Sequence, residues 1–132
     1  KVLKHPLIKL NGWVDDIESM MLEATVFLVL TNVKDFIVGN TRILLAWSLG
    51  TCVVGHTNSS LSMPEIKNGE NMLLGSTSEE ISHHIKNVCT NSALRKRIGR
   101  GGFETWKQYY QSEKVTVKLL SEMENCLIQN NK

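Results

Sequence analysis

Short runs of apolar residues predict strands in the first part of the chain, and the segments between them carry helical periodicity. The apolar runs lie at residues 8–10, 26–30, 52–55 and 72–74, and each has the length of a strand. The run "TVFLVL" (25–30) is apolar and rich in β-branched residues, which is typical of a strand buried in a parallel sheet. The pattern therefore predicts four parallel strands.

Helices are predicted between these strands and throughout the last third of the chain. Apolar residues in segment 17–24 recur at helical spacing behind an acidic pair, Asp15 and Asp16. The stretch "GNTRILLAWSLG" (39–50) begins a second helix, in which Trp47 is predicted to be a core residue. "STSEE" (76–80) is a capping signal for a helix that reaches about Val88. Further helices are predicted at 91–98, 103–110 and 115–128, the first of them ending at "GRGG" (99–102).

The alternation of strands and helices predicts an α/β fold in which helices cover a parallel sheet. All 132 residues are expected to form one domain or a piece of one, with a sheet part at about 7–75 and a helical part at about 76–129. The composition, with 42% hydrophobic and 21% charged residues, is ordinary for a globular domain.

Charge and cysteine content exclude several classes of function. A formal net charge of +2 argues against a nucleic-acid-binding protein, and the basic run "LRKRIGR" (94–100) is expected to be a solvated helix end. No stretch reaches the ~18 apolar residues that span a bilayer. The three cysteines form no CxxC pair, so neither a disulfide framework nor a zinc site is indicated. Free thiols are typical of a reducing cytoplasm.

Ligands of parallel α/β sheets bind in the loops that follow the strands, and three predicted loops qualify, at 11–15, 31–41 and 56–69. In the second loop, Gly39 and Asn40 directly precede a helix, whose free N–H groups favour an anion such as phosphate. Arg42 can add a guanidinium to that site. The alternative is an ordinary capped helix with a solvent-facing arginine.

The histidines are weaker candidates for a functional role. His56 follows a predicted buried strand, so it is either a satisfied structural residue or a group that handles protons at the ligand edge. His83 and His84 lie on a predicted exposed helix without acidic or cysteine partners at ligand spacing, so no metal site is expected there.

Four segments, in order, resemble the retaining GT-B glycosyltransferases of the large family 4 group. "IKLNGWVDDIESMMLEATVFLVLT" is similar to a strand–helix–strand segment of that family, and "GNTRILLAWSLGTCVVGH" resembles its donor-binding stretch, "G-x-x-[RK]-x-L-E-A-x-A-x-G-x-P-V-V". "MPEIKNGENMLL" and "LRKRIGRGG" resemble the loop and the helix that follow. The resemblance covers residues 7–128 and implies the second half of a C-terminal, three-layer α/β/α Rossmann-like domain that binds a nucleotide sugar.

The resemblance also implies a set of donor-binding residues. Backbone amides of Val38, Gly39, Asn40 and Thr41 would bind the diphosphate and sugar, and Arg42 occupies the family's basic position. Two positions depart from the family, because Leu45 and Ile37 stand where it has glutamates. The family's second glutamate holds the donor ribose, and the sequence indicates no catalytic residue.

The function implied is the transfer of a hexose, with retention and without a metal, from a UDP- or GDP-sugar to a saccharide or lipid-linked acceptor. Such an enzyme would take part in cell-surface polysaccharide or glycoconjugate synthesis in the cytoplasm, with possible peripheral contact to a membrane. The chain alone is expected to be inactive, because the acceptor domain and the first strands are absent, and to be prone to self-association. The alternatives are a degenerate, non-catalytic GT-B scaffold and an unrelated flavodoxin-like nucleotide-binding module.

Overall fold

The computed structural model of the protein describes residues 6–31 and 40–130, without the side chains of 128–130. Its elements alternate between helix and strand up to the third strand and are helical afterwards. In chain order they are α1 (Ile17–Glu23), β1 (Phe27–Val29), α2 (Thr41–Ser48), β2 (Val53–His56), a 3₁₀ turn (Thr57–Leu61), β3 (Leu73–Gly75), α3 (Ser78–Thr90), α4 (Ser92–Tyr109) and α5 (Ser112–Asn130).

The three strands form one parallel sheet in the order β1-β2-β3, which confirms the predicted α/β fold class. Phe27 is in register with Val53, and Val54 is in register with Leu73. The strand predicted at residues 8–10 is wrong, because these residues have no regular secondary structure and form no ladder with the described strands. Leu10 is 69% exposed there, so this apolar run has neither the pairing nor the burial that stabilises a strand.

Side chains from β2 divide the core into two clusters, one on each face of the sheet. Val53 and Val54 are adjacent and fully buried, and strand alternation points them to opposite faces. Val53 packs with Trp47 and the other buried residues of α2, while Val54 packs with Val88 of α3. The expectation that Trp47 is a core residue is confirmed, since its side chain is 0% exposed.

Helix α4 runs without interruption through the three glycines at which the sequence predicted a helix end. It spans Ser92–Tyr109, so the predicted stop at 99–102 is wrong. A Cβ on Gly99 would collide with the backbone carbonyl of Gly50, and one on Gly102 would lie 2.9 Å from Nε1 of Trp47. Gly99 and Gly102 therefore let α4 approach α2 closely, and none of the three glycines terminates the helix.

A hydrogen-bond network attaches the loop between β2 and β3 to α2 and α4. Asn71 is 3% exposed, and its side-chain oxygen accepts from the backbone N–H of Lys67 at 2.8 Å. The side-chain amide nitrogen of Asn71 donates to Thr105 Oγ1 at 3.0 Å, and its backbone carbonyl oxygen accepts from Trp47 Nε1 at 3.0 Å. The hydroxyl of Tyr110 donates to the carboxylate of Glu65. Buried polar groups that are satisfied in this way hold a loop rigidly.

The N-termini of α1 and α3 are capped as the sequence indicated. The carboxylate of Asp16 accepts from the backbone N–H and the hydroxyl of Ser19, and these bonds lower the pKa of Asp16. On α3, Thr77 Oγ1 accepts from the N–H of Glu80, whose own carboxylate accepts from the N–H of Ser76 at 2.6 Å. This arrangement is a variant of the capping box, in which the carboxylate bonds the N–H of the residue before the N-cap instead of the N–H of the N-cap itself. Within the described ranges, no helix combines the length and apolar character that crossing a membrane requires.

Candidate functional site

A cleft of about 490 Å³ opens at the end of the sheet where β1 finishes and α2 begins. Its described lining comes from residues 27–31 and from residues 40–42. The segment 32–39, which connects the two, lies outside the described residues, and with it the predicted site residues Val38 and Gly39 and the position of Ile37. The cleft therefore lies beside the second of the three loops, at 31–41, in which a ligand was expected to bind.

The N-terminus of α2 reaches this cleft without a side-chain cap among the described residues. Asn40 is the N-cap residue, but its side chain accepts no capping hydrogen bond, whereas Asp16, Thr77 and Asn91 each accept one on their helices. The first turn of α2 also contains no acidic residue. No described side chain therefore competes with an anion for its leading N–H groups and the positive end of the helix dipole.

Arg42 is exposed on the rim of the cleft, as the second residue of α2. Between described residues the one ion pair is Lys67–Glu70, so no described carboxylate neutralises the Arg42 guanidinium. Thr41, also exposed, adds a hydroxyl to the same rim. The structure therefore brings Asn40, Thr41 and Arg42 together, with donors of hydrogen bonds on one side of the cleft.

Leu45 lies deeper along α2 than these three residues. Its side chain is half-buried and packs against the core cluster that contains Trp47. It does not belong to the described lining of the cleft. A leucine in this position stabilises the attachment of α2 to the sheet, and it offers no hydrogen-bond acceptor to a ligand.

His56 ends β2, and its imidazole is engaged by the adjacent turn. Its Nδ1 accepts from the backbone N–H of Asn58 at 3.1 Å, which caps the 3₁₀ turn Thr57–Leu61. This favours the structural interpretation of His56. His84 is likewise engaged, since its Nε2 lies 3.1 Å from the carbonyl oxygen of Leu74. In the described part of the chain, no three His, Cys, Asp or Glu side chains are arranged to hold a metal ion.

A second, smaller cleft of about 210 Å³ lies between the loop that precedes β3 and helix α4. Glu65, Glu70 and Glu104 contribute to its walls, beside the buried Asn71. Burial and the neighbouring Glu65 carboxylate raise the pKa of the Tyr110 phenol, so Tyr110 remains a neutral donor. The sequence indicated a role for none of these residues, because their contacts join positions far apart in the chain. Asn71 donates to the backbone carbonyl of Glu65, and the carboxylate of Glu65 accepts from Tyr110, so these three residues form a structural junction beside the cleft.

Comparison with known proteins adds no relative of this chain. No protein-family model matches it, and no curated protein or solved structure is significantly similar to it. The function of the chain is therefore inferred from the order of its motifs and from the geometry of the larger cleft.

Proposed function

We propose that this chain is the second half of the donor-binding domain of a retaining GT-B glycosyltransferase. The observation that carries the proposal is the cleft at the end of β1, where the uncapped N-terminus of α2 and the Arg42 guanidinium face the same space. This is the position at which parallel α/β sheets bind ligands. The four motifs of the glycosyltransferase family also follow one another in the required order.

The chemistry of the cleft suits the diphosphate of a UDP- or GDP-sugar. When the sugar leaves, negative charge develops on the diphosphate, and fixed N–H dipoles and a guanidinium stabilise that charge without moving. The N–H groups of Thr41 and Arg42 supply the dipoles, and the Arg42 side chain supplies charge-assisted hydrogen bonds. Such a reaction transfers a hexose to a saccharide or lipid-linked acceptor and needs no metal for the charge stabilisation.

The apolar part of the cleft complements this polar rim. Leu28 and Leu30 are 39% and 56% exposed and lie in the lining from β1. An apolar wall with a few convergent polar groups is typical of a small-molecule site. The ribose of the donor has no acceptor on Leu45, so residues outside the described lining would have to hold it. The enzyme would act in the cytoplasm.

A non-catalytic scaffold is the second candidate function, and the packing of Leu45 favours it. The family's ribose-binding glutamate is replaced by a leucine that has joined the hydrophobic core. A domain that no longer binds a donor can keep this substitution, because the leucine stabilises the fold. The two candidates differ in whether the cleft still binds a nucleoside diphosphate.

We expect Arg42→Ala to weaken the binding of UDP or GDP by about 1–3 kcal/mol, the usual contribution of a charge-assisted hydrogen bond. NMR titration of the chain measures this change even when binding is weak. Arg100→Ala is the matched control, since Arg100 is an exposed arginine on α4 that does not line the cleft. Equal affinities for the wild type and Arg42→Ala would reject the proposed site. No binding of either nucleotide would support the scaffold.

A further inference from the structure

The sequence contains two Asn–Gly pairs, Asn11–Gly12 and Asn68–Gly69. Such a pair is especially prone to spontaneous deamidation, because glycine has no side chain to hinder the attack of its backbone nitrogen on the asparagine. Both pairs belong to the described part of the chain, and neither contributes to the described lining of the larger cleft. The surroundings of each pair therefore decide whether it reacts.

The reaction needs no partner other than water. The backbone nitrogen of the glycine gives up its proton to a base and attacks Cγ of the asparagine, so that an N–Cγ bond forms. The bond between Cγ and Nδ2 then breaks, and the amide nitrogen takes up a proton and leaves as ammonia. Water opens the resulting succinimide to aspartate or isoaspartate. The reaction therefore requires a glycine N–H that can lose its proton and an asparagine side chain that can turn over the backbone.

Exposure and backbone conformation do not distinguish the two pairs. Asn11 and Asn68 are both exposed. Gly12 and Gly69 both have a positive φ, of +59° and +79°. A Cβ added to either glycine would meet no atom within 4 Å beyond its chain neighbours. Steric access alone therefore predicts that both pairs deamidate.

Hydrogen bonds distinguish the two pairs, because they hold the second one in its turn. The N–H of Gly69 donates to the carbonyl oxygen of Met72 at 2.8 Å, and the carbonyl oxygen of Gly69 accepts from Arg97 Nη1 at 2.8 Å. The side-chain oxygen of Asn68 accepts from the N–H of Leu74 at 2.9 Å. The attacking nitrogen and the attacked side chain are thus both engaged. Asn68 can react only after this turn opens locally.

Asn11 and Gly12 have no such restraint, since they lie in a segment without regular secondary structure and neither forms a hydrogen bond with another described residue. We infer that Asn11 is a site of spontaneous modification, at which water converts the side chain to aspartate or isoaspartate, and that the fold protects Asn68. The product adds one negative charge and so lowers the formal net charge of +2 by one. The inference is independent of the proposed function, because Asn11 does not line the larger cleft.

Peptide mapping by mass spectrometry tests the inference, after incubation of the chain in a mildly alkaline buffer with and without urea. In the folded chain we expect Asn11 to be converted at least about tenfold faster than Asn68, because Asn68 reacts only from a locally opened state. In urea the two rates should approach each other, since the hydrogen bonds of the turn are lost. Asn68 is therefore the matched control within the same sample.

Gly12→Ala tests the site by changing the attacking residue. The added Cβ hinders the attack, so conversion of Asn11 should slow at least about tenfold, while circular dichroism should remain that of the wild type. Conversion of Asn68 as fast as that of Asn11 in the folded chain would overturn the inference, and so would a folded chain in which Asn11 is not converted. An equal ratio of the two rates with and without urea would also overturn it, because the preceding residues, Leu10 and Lys67, would then explain the difference.

Discussion

Trp47→Ala is expected to lower the free energy of unfolding by about 3–5 kcal/mol, the usual cost of removing a fully buried large aromatic side chain. The indole is 0% exposed, packs in the main core cluster and donates from Nε1 to the carbonyl of Asn71. Its loss leaves a cavity beneath α4 and an unpaired carbonyl in the loop before β3. Urea unfolding followed by far-UV circular dichroism measures the change.

Trp13→Ala is the control for this experiment. Trp13 is 90% exposed, and the hydrogen bond in which its indole takes part goes to the neighbouring Asp15. Its removal should leave the unfolding midpoint nearly unchanged. Similar losses in the two variants would contradict the assignment of Trp47 to the core.

Gly99→Ala is expected to destabilise the chain by about 1–3 kcal/mol, the typical cost of overpacking. Helix propensity alone predicts that the substitution stabilises the chain, since alanine is more favourable than glycine in a helix interior by about 1 kcal/mol. The clash outweighs propensity because the added Cβ meets the backbone carbonyl of Gly50, which cannot rotate away as a side chain could. Gly50 is itself fixed in a turn with φ +67° that ends α2.

Thermal melting of Gly99→Ala shows whether the substitution destabilises or stabilises the chain. Lys96→Ala serves as the reference, because Lys96 is exposed on the same helix and its replacement should change little. A melting temperature of Gly99→Ala at or above that of the wild type would show that α4 does not approach α2 closely at this point.

The sheet and the first helices could be predicted because their determinants are local. Residues 26–30 and 52–55 are continuously apolar, and the predicted strands there fall within about one residue of β1 and β2. The caps at Asp16 and Thr77 depend on side chains within four residues of the helix start. Such signals lie within a few neighbouring residues, so the sequence alone is enough to recognise them.

The wrong predictions depend on partners that are distant in the chain. In the sequence, Gly99 and Gly102 resemble a helix stop. In the fold they lie against Gly50 and Trp47, and this close contact explains why glycines are needed there. The run at 8–10 has the composition of a strand, but no described strand pairs with it. A local pattern cannot report whether a neighbour is present, and strand formation in particular depends on that neighbour.

In the candidate site, too, the local features could be predicted from the sequence and the packing could not. The sequence indicated that Asn40, Thr41 and Arg42 stand at the start of a helix beyond a strand, and the structure places them there, beside the cleft. It could not indicate that Leu45 packs against the core, because that depends on how α2 lies on the sheet. The role of the segment 32–39 in donor binding stays a prediction, since it lies outside the described residues.

Amide mapping by heteronuclear NMR tests the central claim most directly, with the chain titrated with UDP and with GDP. Binding of the diphosphate at the N-terminus of α2 should shift the backbone amides of Thr41, Arg42 and Ile43, together with those of residues 28–31 on the opposite wall. Shifts confined to the smaller cleft between Glu65 and Glu104, or no shifts with either nucleotide, would contradict the proposed donor site.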